Sequence, residues 1–306
     1  MNAKKIVAAL LLSTSLISAV SASAAYSAMS EVFVPNAIDA TTRWGSPVKL
    51  NGVESFPTVT STWCEVRTTG PSPHVGVDLS AGKAYNVVAV TAGTLKRDRA
   101  DTSYNTTSLS TGKANVYCHY EHMLAADIKA DGYYNKGDKI GVPGTAGTSA
   151  LHLHFGAYNK NTLSGRKSYR TETLYRNTAK WDYGRHLDVF SKVNWLGNGK
   201  AEMTVSFSGS NNANTEKPKE VRVYYRKAGT SNWIDGGVMT NVSGYKYQYN
   251  FSKVLSKGTA FEWTARITRN KTVSSGNTLF APAKFYNPPA NPNATTAKYA
   301  FFTNTV

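Results

Sequence analysis

The chain of 306 residues has little cysteine, little histidine and a shortage of acid: two cysteines, six histidines, and 19 aspartates and glutamates against 35 lysines and arginines. Two thiols so far apart in sequence make a poor zinc knuckle. Cys64 and Cys118 are instead expected to pair as a disulfide if the chain reaches an oxidising compartment. Beyond the first 25 residues no stretch approaches the ~20 apolar residues of a membrane helix, so no stable membrane anchor is expected. Long amphipathic helices are also missing, as is any internal repeat, which sets aside helical bundles and repeat arrays. The net charge is +16, yet the densest basic cluster is only "KRDR" at 96–99. Without a basic tract, nucleic acid is not an expected partner.

What is present begins with "MNAKKIVAALLLSTSLISAVSASAAYS". Lys4 and Lys5 precede a short apolar stretch, and Ala22-Ser23-Ala24 supplies small residues for cleavage, the three parts of a secretory signal. Residues 1–25 are therefore expected to be removed near Ala24 or Ala25, leaving a secreted protein, extracellular or periplasmic. No cysteine follows the cleavage point, which argues against a lipid anchor. A basic secreted protein is suited to polyanionic surfaces such as the bacterial cell wall.

Short alternating runs separated by Gly, Asn, Ser and Thr fill the rest. "YNVVAVTAGTL" (85–95), "ANVYCHYEHM" (114–123) and "HLHFGAY" (152–158) read as strands. An all-β chain with two units follows. An antiparallel-sheet domain with its lead-in is expected over 26–165, a polar connector over 166–195, and a β-sandwich with an Asn/Pro-rich tail over 196–306. In the second unit Val221, Val223 and Tyr225 share one strand face, as do Phe261, Trp263, Ala265 and Ile267.

The histidines are concentrated. In "ALHLHFGAY" (150–158) strand alternation points His152 and His154 one way and Leu151, Leu153 and Phe155 the other. Such a pair is either a hydrogen-bonded structural feature or half of a metal site. "SPHVGVDLSAG" (72–82) supplies the other half, with His74, Gly76 and Asp78 expected on one strand face. Two imidazoles and a carboxylate suit catalytic zinc, which keeps a fourth position for water, better than they suit calcium or magnesium.

"HVGVD", then "YEHM", then "HLHF" after the glycine-rich "GDKIGVPGTAGTSAL" resembles the lysostaphin/LytM-type zinc endopeptidases that cut peptidoglycan peptides. The likeness covers roughly residues 70–160. It implies that His74, Asp78 and His154 hold Zn2+, while His122 and His152 are the catalytic histidines. It further implies a secreted zinc metalloendopeptidase acting on peptidoglycan cross-links, with the wall as partner and the chain a monomer. Two alternatives stand beside it: the same chemistry on glycine-rich extracellular proteins, or a non-catalytic wall-binding regulator of other hydrolases. Leu151 replaces the family's usual proline, and no tyrosine for the oxyanion can be placed ahead of His74.

The remaining candidates have plainer readings. Alternation puts Cys118 on the face of His122, where a fourth protein ligand would close an open zinc site, so the disulfide is preferred. His119 is expected on the opposite face from His122, structural or exposed, and His186 on the surface. "LSKGTAF" (255–261) loosely resembles the corner of fibronectin type III modules, with Lys257 for proline and Phe261 for tyrosine. Lys219, Arg222, Arg226, Tyr224 and Trp233 are the residues there expected to meet an anionic, sugar-rich surface.

Overall fold

The computed structural model describes residues 25–26, 44–66, 73–99, 102–169, 171, 188–208, 217–273, 276–282, 285–286, 288–295 and 301–306. The expected signal, apart from Ala25, lies outside these residues, as does His186. The named elements are strands paired antiparallel, with only three-residue 3-10 turns such as Ala125–Asp127 besides, so the all-β expectation holds. No helix among the described residues is long and apolar enough to cross a membrane.

The first unit is built on one sheet. Its strands are β1 (Val59–Ser61), β2 (Val77–Leu79), β3 (Gly93–Arg97), β4 (Thr107–Ser110), β5 (Tyr117–Glu121), β6 (Gly132–Tyr134), β7 (Leu153–Tyr158) and β8 (Ser168–Tyr169). They run β6-β3-β4-β5-β7-β2-β1, with β8 beside β7. Period-two alternation sends Val77, Leu79, Leu95, Leu109, Cys118, Tyr120, Leu153, Phe155 and Ala157 into the core, each fully buried. A second, four-stranded sheet of Val48–Leu50, Val53–Glu54, Tyr85–Val88 and Lys139–Gly141 adds Val48, Val87 and Ile140 to that cluster. Each large apolar side chain so buried contributes about 1.5–3 kcal/mol. Tyr120 belongs to this core, its hydroxyl accepting from Val90 N at 3.1 Å.

The expected disulfide is not there. Cys118 faces the core from the middle of β5, and Cys64 sits in a turn with φ 64°, both fully buried as thiols. Both residues belong to the buried core cluster of this unit. Burial pushes the Cys118 thiol pKa well up.

The register across β2, β7 and β5 fixes the opposite face. Asp78, His154 and Glu121 lie in one row, and Gly156 is paired with His119 in the next. The same face thus carries Tyr158 and Tyr117 one row further on. It is not exposed: every residue of β7 is buried, because the segment from Asn159 to Tyr169 folds over it.

The second unit comprises β9 (Asp188–Gly197), β10 (Lys200–Ser208), β11 (Glu220–Lys227), β12 (Ile234–Val238), β13 (Thr240–Ser243), β14 (Lys246–Asn250), β15 (Ala260–Val273), β16 (Gly276–Ala281) and β17 (Phe302–Thr305). One sheet runs β9-β10-β14-β13; the other has β12-β11-β15, with β16 and β17 sharing the far side of β15. Ala201, Met203, Val221, Val223, Phe261, Trp263 and Ile267 form the core between them, as alternation requires. Tyr224 and Trp233, on the outer face, do not stand ready for a ligand. Tyr224 donates to Ala290 O at 2.6 Å, and Asn293 bonds both the N–H and the carbonyl of Trp233 at 2.8 Å. Ala290, Asn293 and Phe301 cover them, so of the expected recruiting residues these two aromatics are packed, while Arg222 and Arg226 stay part-exposed.

Candidate metal centre

His74, Asp78 and His154 come from three different settings and meet at one point. Asp78 is central in β2 and His154 second in β7, so their register as direct neighbours brings the side chains together. His74 precedes the strand instead of lying in it. Its backbone is pinned to the turn before it, with Cys64 N to His74 O at 2.7 Å and His74 N to Glu65 O at 2.9 Å. Gly76 matters here for a reason other than space for an ion. A Cβ on Gly76 would stand 2.5 Å from His154 Nε2, so any other residue would displace that ring.

The ligand atoms can be assigned. His74 Nδ1 lies 3.0 Å from Thr62 O, a pure acceptor, so it carries the proton and leaves a lone pair on Nε2. His74 Nε2 is 2.9 Å from His154 Nδ1 and 3.1 Å from Asp78 Oδ1, and His154 Nδ1 is 2.9 Å from that same oxygen. Four-coordinate zinc with bonds of about 2.0–2.1 Å separates its ligands by about 3.3 Å, close to this triangle. All three residues are buried, and as a group they are the set among the described residues that could hold a metal ion. Three electron-rich atoms at these distances need a shared cation or proton between them, and the two-nitrogen, one-oxygen set fits zinc. Burial opposes the charge of Asp78, but the imidazoles of His74 and His154 outweigh it and hold its pKa well below the ordinary value.

His122 and His152 stand beside the triangle without joining it. His122 Nδ1 is 2.6 Å from Ala146 O and His152 Nδ1 is 2.8 Å from Ala150 O. Both protons are thus fixed on Nδ1, and both Nε2 atoms keep a lone pair. The rings lie 4.6 Å apart, and His152 Nε2 is 3.6 Å from Asp78 Oδ1. Both anchoring carbonyls belong to the glycine-punctuated turn ahead of β7. That turn approaches closely only because Gly144 has no side chain, a Cβ there falling 2.8 Å from His122 O. Burial and the neighbouring His154 bring the His122 pKa down to about 4.

Strand alternation misplaces His122. The strand β5 ends at Glu121, and His122 takes a left-handed φ of 64° that turns it off the Cys118–Tyr120 core face and towards the histidines. A non-glycine residue there is uncommon and carries strain of order 1 kcal/mol or more. Cys118 is consequently no ligand. His119, expected away from the site, lies on the site's side of the sheet and is fully buried, donating from Nε2 to Lys160 O at 2.7 Å. Its Nδ1 accepts from Arg166 Nη1 at 2.8 Å. Burial, reinforced by Arg166, drives its pKa from 6.5 to about 3, so it stays neutral.

Glu121, Tyr158 and Arg166 adjoin the centre although no sequence motif singled them out. Arg166 donates to Glu121 Oε1 and lowers the Glu121 pKa to about 2 against the effect of burial. Glu121 is marked by its pairing in register with His154, Tyr158 and Arg166 only by their side-chain contacts.

Residues 72–165 match the model of peptidase family M23. No curated protein matches the chain. Among solved structures, similarity extends to the lysostaphin catalytic domain from Staphylococcus simulans, at 21% identity over 37% of this chain and 88% of that one, with a TM-score of 0.31. The whole lysostaphin chain from Staphylococcus simulans aligns at 18% identity over 73% of this chain and 86% of its own, with a TM-score of 0.33. Csd3 from Helicobacter pylori aligns at 22% identity over 44% of this chain, TM-score 0.33, and only 35% of its own length is spanned. Likenesses this distant carry no functional weight by themselves.

Proposed function

We propose that the chain is a secreted zinc endopeptidase that hydrolyses peptide bonds in bacterial peptidoglycan cross-links. His74 Nε2, Asp78 Oδ1 and His154 Nδ1 would hold the metal. The observation that carries the reading is the contrast among four histidines. Two aim a ring nitrogen at Asp78 Oδ1 and at each other, while His122 and His152 are tied back at Nδ1 and keep Nε2 for the reaction. The match of residues 72–165 to peptidase family M23 supports it.

Zinc bound at such a set lowers the pKa of a water molecule towards neutrality and polarises a carbonyl. The chain's own part is proton handling. With Nδ1–H donated to a backbone carbonyl, the Nε2 of His122 or His152 is the acceptor for a proton from water, and once protonated it can donate to an oxyanion or a leaving amine. Thr62 O and the Ala146 and Ala150 carbonyls hold the three imidazoles in their tautomers, so no rotation is needed at the moment of reaction. In the second unit, the order β9-β10-β14-β13 against β12-β11-β15-β16 is that of an immunoglobulin-type sandwich, which supports the fibronectin-like reading of that half.

Purified walls of several cross-link types, digested with the zinc-loaded chain, should yield new amino termini at one bond type. Chelation should abolish their release. If walls of every cross-link type stay intact while the chain holds one zinc, the endopeptidase reading is wrong.

A further inference from the structure

His74 Nδ1 is held by the Thr62 carbonyl at 3.0 Å with the Ser61 hydroxyl beside it at 3.1 Å. His154 is oriented by side chains at both ring nitrogens, Asp78 at Nδ1 and Tyr158 at Nε2. Along β7, His154, Gly156 and Tyr158 share a face at period two. An upright Tyr158 would stand four residues along the strand from His154, beyond reach of its ring. Its ring instead lies across Gly156, where a Cβ would fall 2.6 Å from Cε2 and 2.7 Å from the hydroxyl. From that position Tyr158 Oη is 2.9 Å from His154 Nε2. Arg166 Cζ stacks 4.0 Å from the centroid of the tyrosine ring, and His119 packs against it at 4.6 Å. A guanidinium so close would disfavour a second cation at the centre. Glu121 offsets it, taking a hydrogen bond from Arg166 while its Oε1 lies 3.8 Å from His154 Nε2. Both Glu121 and Tyr158 are buried.

We infer that Tyr158, admitted by Gly156 and held by Arg166, is a positioning residue that takes the Nε2–H of His154 and so presents Nδ1 to the metal, with Glu121 cancelling the arginine's charge beside it. The inference rests on the metal reading above. Groups around a metal-bound histidine that receive its other N–H fix the tautomer and the ring, and their loss typically weakens metal binding about 10- to 100-fold. Tyr158→Phe keeps the ring over Gly156 and removes only the acceptor. Glu121→Gln keeps the shape and removes the charge.

The test is zinc affinity of the full chain, measured by competition with a chromophoric chelator, together with the proton NMR signal of the His154 Nε2–H in the zinc-loaded protein. The wild type should bind one zinc and show an exchange-protected Nε2–H. Tyr158→Phe should bind zinc about 10- to 100-fold more weakly and lose that protection while its apoprotein unfolds near the wild-type temperature, and Glu121→Gln should weaken zinc in the same range. If the wild type binds zinc and Tyr158→Phe matches it in affinity or in Nε2–H protection, the proposal is overturned while the metal reading stands. A wild-type chain that takes up no zinc overturns the metal reading and this inference with it.

Discussion

Two sheet faces of this protein look alike in composition and behave differently. The β2–β7–β5 face carries histidines, acids, an arginine and tyrosines; the outer face of β11 carries Arg222, Tyr224 and Arg226 beside Trp233. On the second face Arg222 and Arg226 each meet an acid. Arg222 bonds Glu220 at 3.2 Å and Asp235 at 3.0 Å, and Arg226 bonds Glu262 at 2.6 Å while lying 4.4 Å over the Trp233 ring. On the first face His74 Nε2, His154 Nδ1 and Asp78 Oδ1 crowd within 3.1 Å of one another. Charged and aromatic residues on a strand therefore do not mark a site. Like-natured acceptor atoms converging on one point do, because only an added cation or proton reconciles them.

The largest expected effects break the first face. His154→Ala should lose zinc and hydrolysis together. His152→Ala should keep most of its zinc and lose hydrolysis by about 10²- to 10⁴-fold, the usual scale of acid–base catalysis. Metal analysis of both variants beside wall digestion decides this; a His152→Ala protein as empty of zinc as His154→Ala would reverse their roles.

Next is the support under that face. Phe155, fully buried between Trp44 and Tyr120, separates the core from the His154 row. Phe155→Ala should cost about 3–5 kcal/mol in denaturant unfolding, the range for emptying a packed aromatic site. A loss under 1 kcal/mol would mean the sheet is not the rigid floor of the centre.

A pH effect of several kcal/mol should follow from His119. Its folded pKa of about 3 lies below the ordinary 6.5, so the unfolded chain takes up the proton first. Stability present above pH 6.5 is then lost as the pH falls towards 3. His122, lowered to about 4, adds in the same direction. His119→Gln should flatten the decline in unfolding free energy between pH 7 and 5; an unchanged slope would show that His119 is not held neutral.

The smallest effect belongs to the second face. Arg222→Ala removes two part-exposed pairs, each of the class that changes stability by only about 0.2–1 kcal/mol. If it instead abolished sedimentation of the protein with purified walls at low salt, the compensated face would be a recruiting surface after all.

The sequence was enough for whatever repeats with the period of a strand. Alternation alone separated Phe261, Trp263, Ala265 and Ile267 from Glu262, Thr264 and Arg266, and it set Leu153 and Phe155 apart from His154. The three motifs in order gathered His74, Asp78, His122, His152 and His154, which the fold brings into one place. Alternation failed where the backbone leaves the strand. The left-handed φ of His122 reverses its face, and the bend before Val77 brings in His74 by backbone bonds to Cys64 and Glu65. Local pattern also could not weigh what arrives from afar. Tyr224 and Trp233 look like a binding face until Ala290, Asn293 and Phe301 cover them, and two cysteines look like a disulfide until both are found as buried thiols in the core. Glu121, Tyr158 and Arg166 carry no motif, because what joins them to His154 is the β5–β7 register and the segment that folds back over β7. Period and chemical type are properties of the local chain and can be read from it. Register, cover and tautomer arise from contacts between distant segments, so only the tertiary structure decides them.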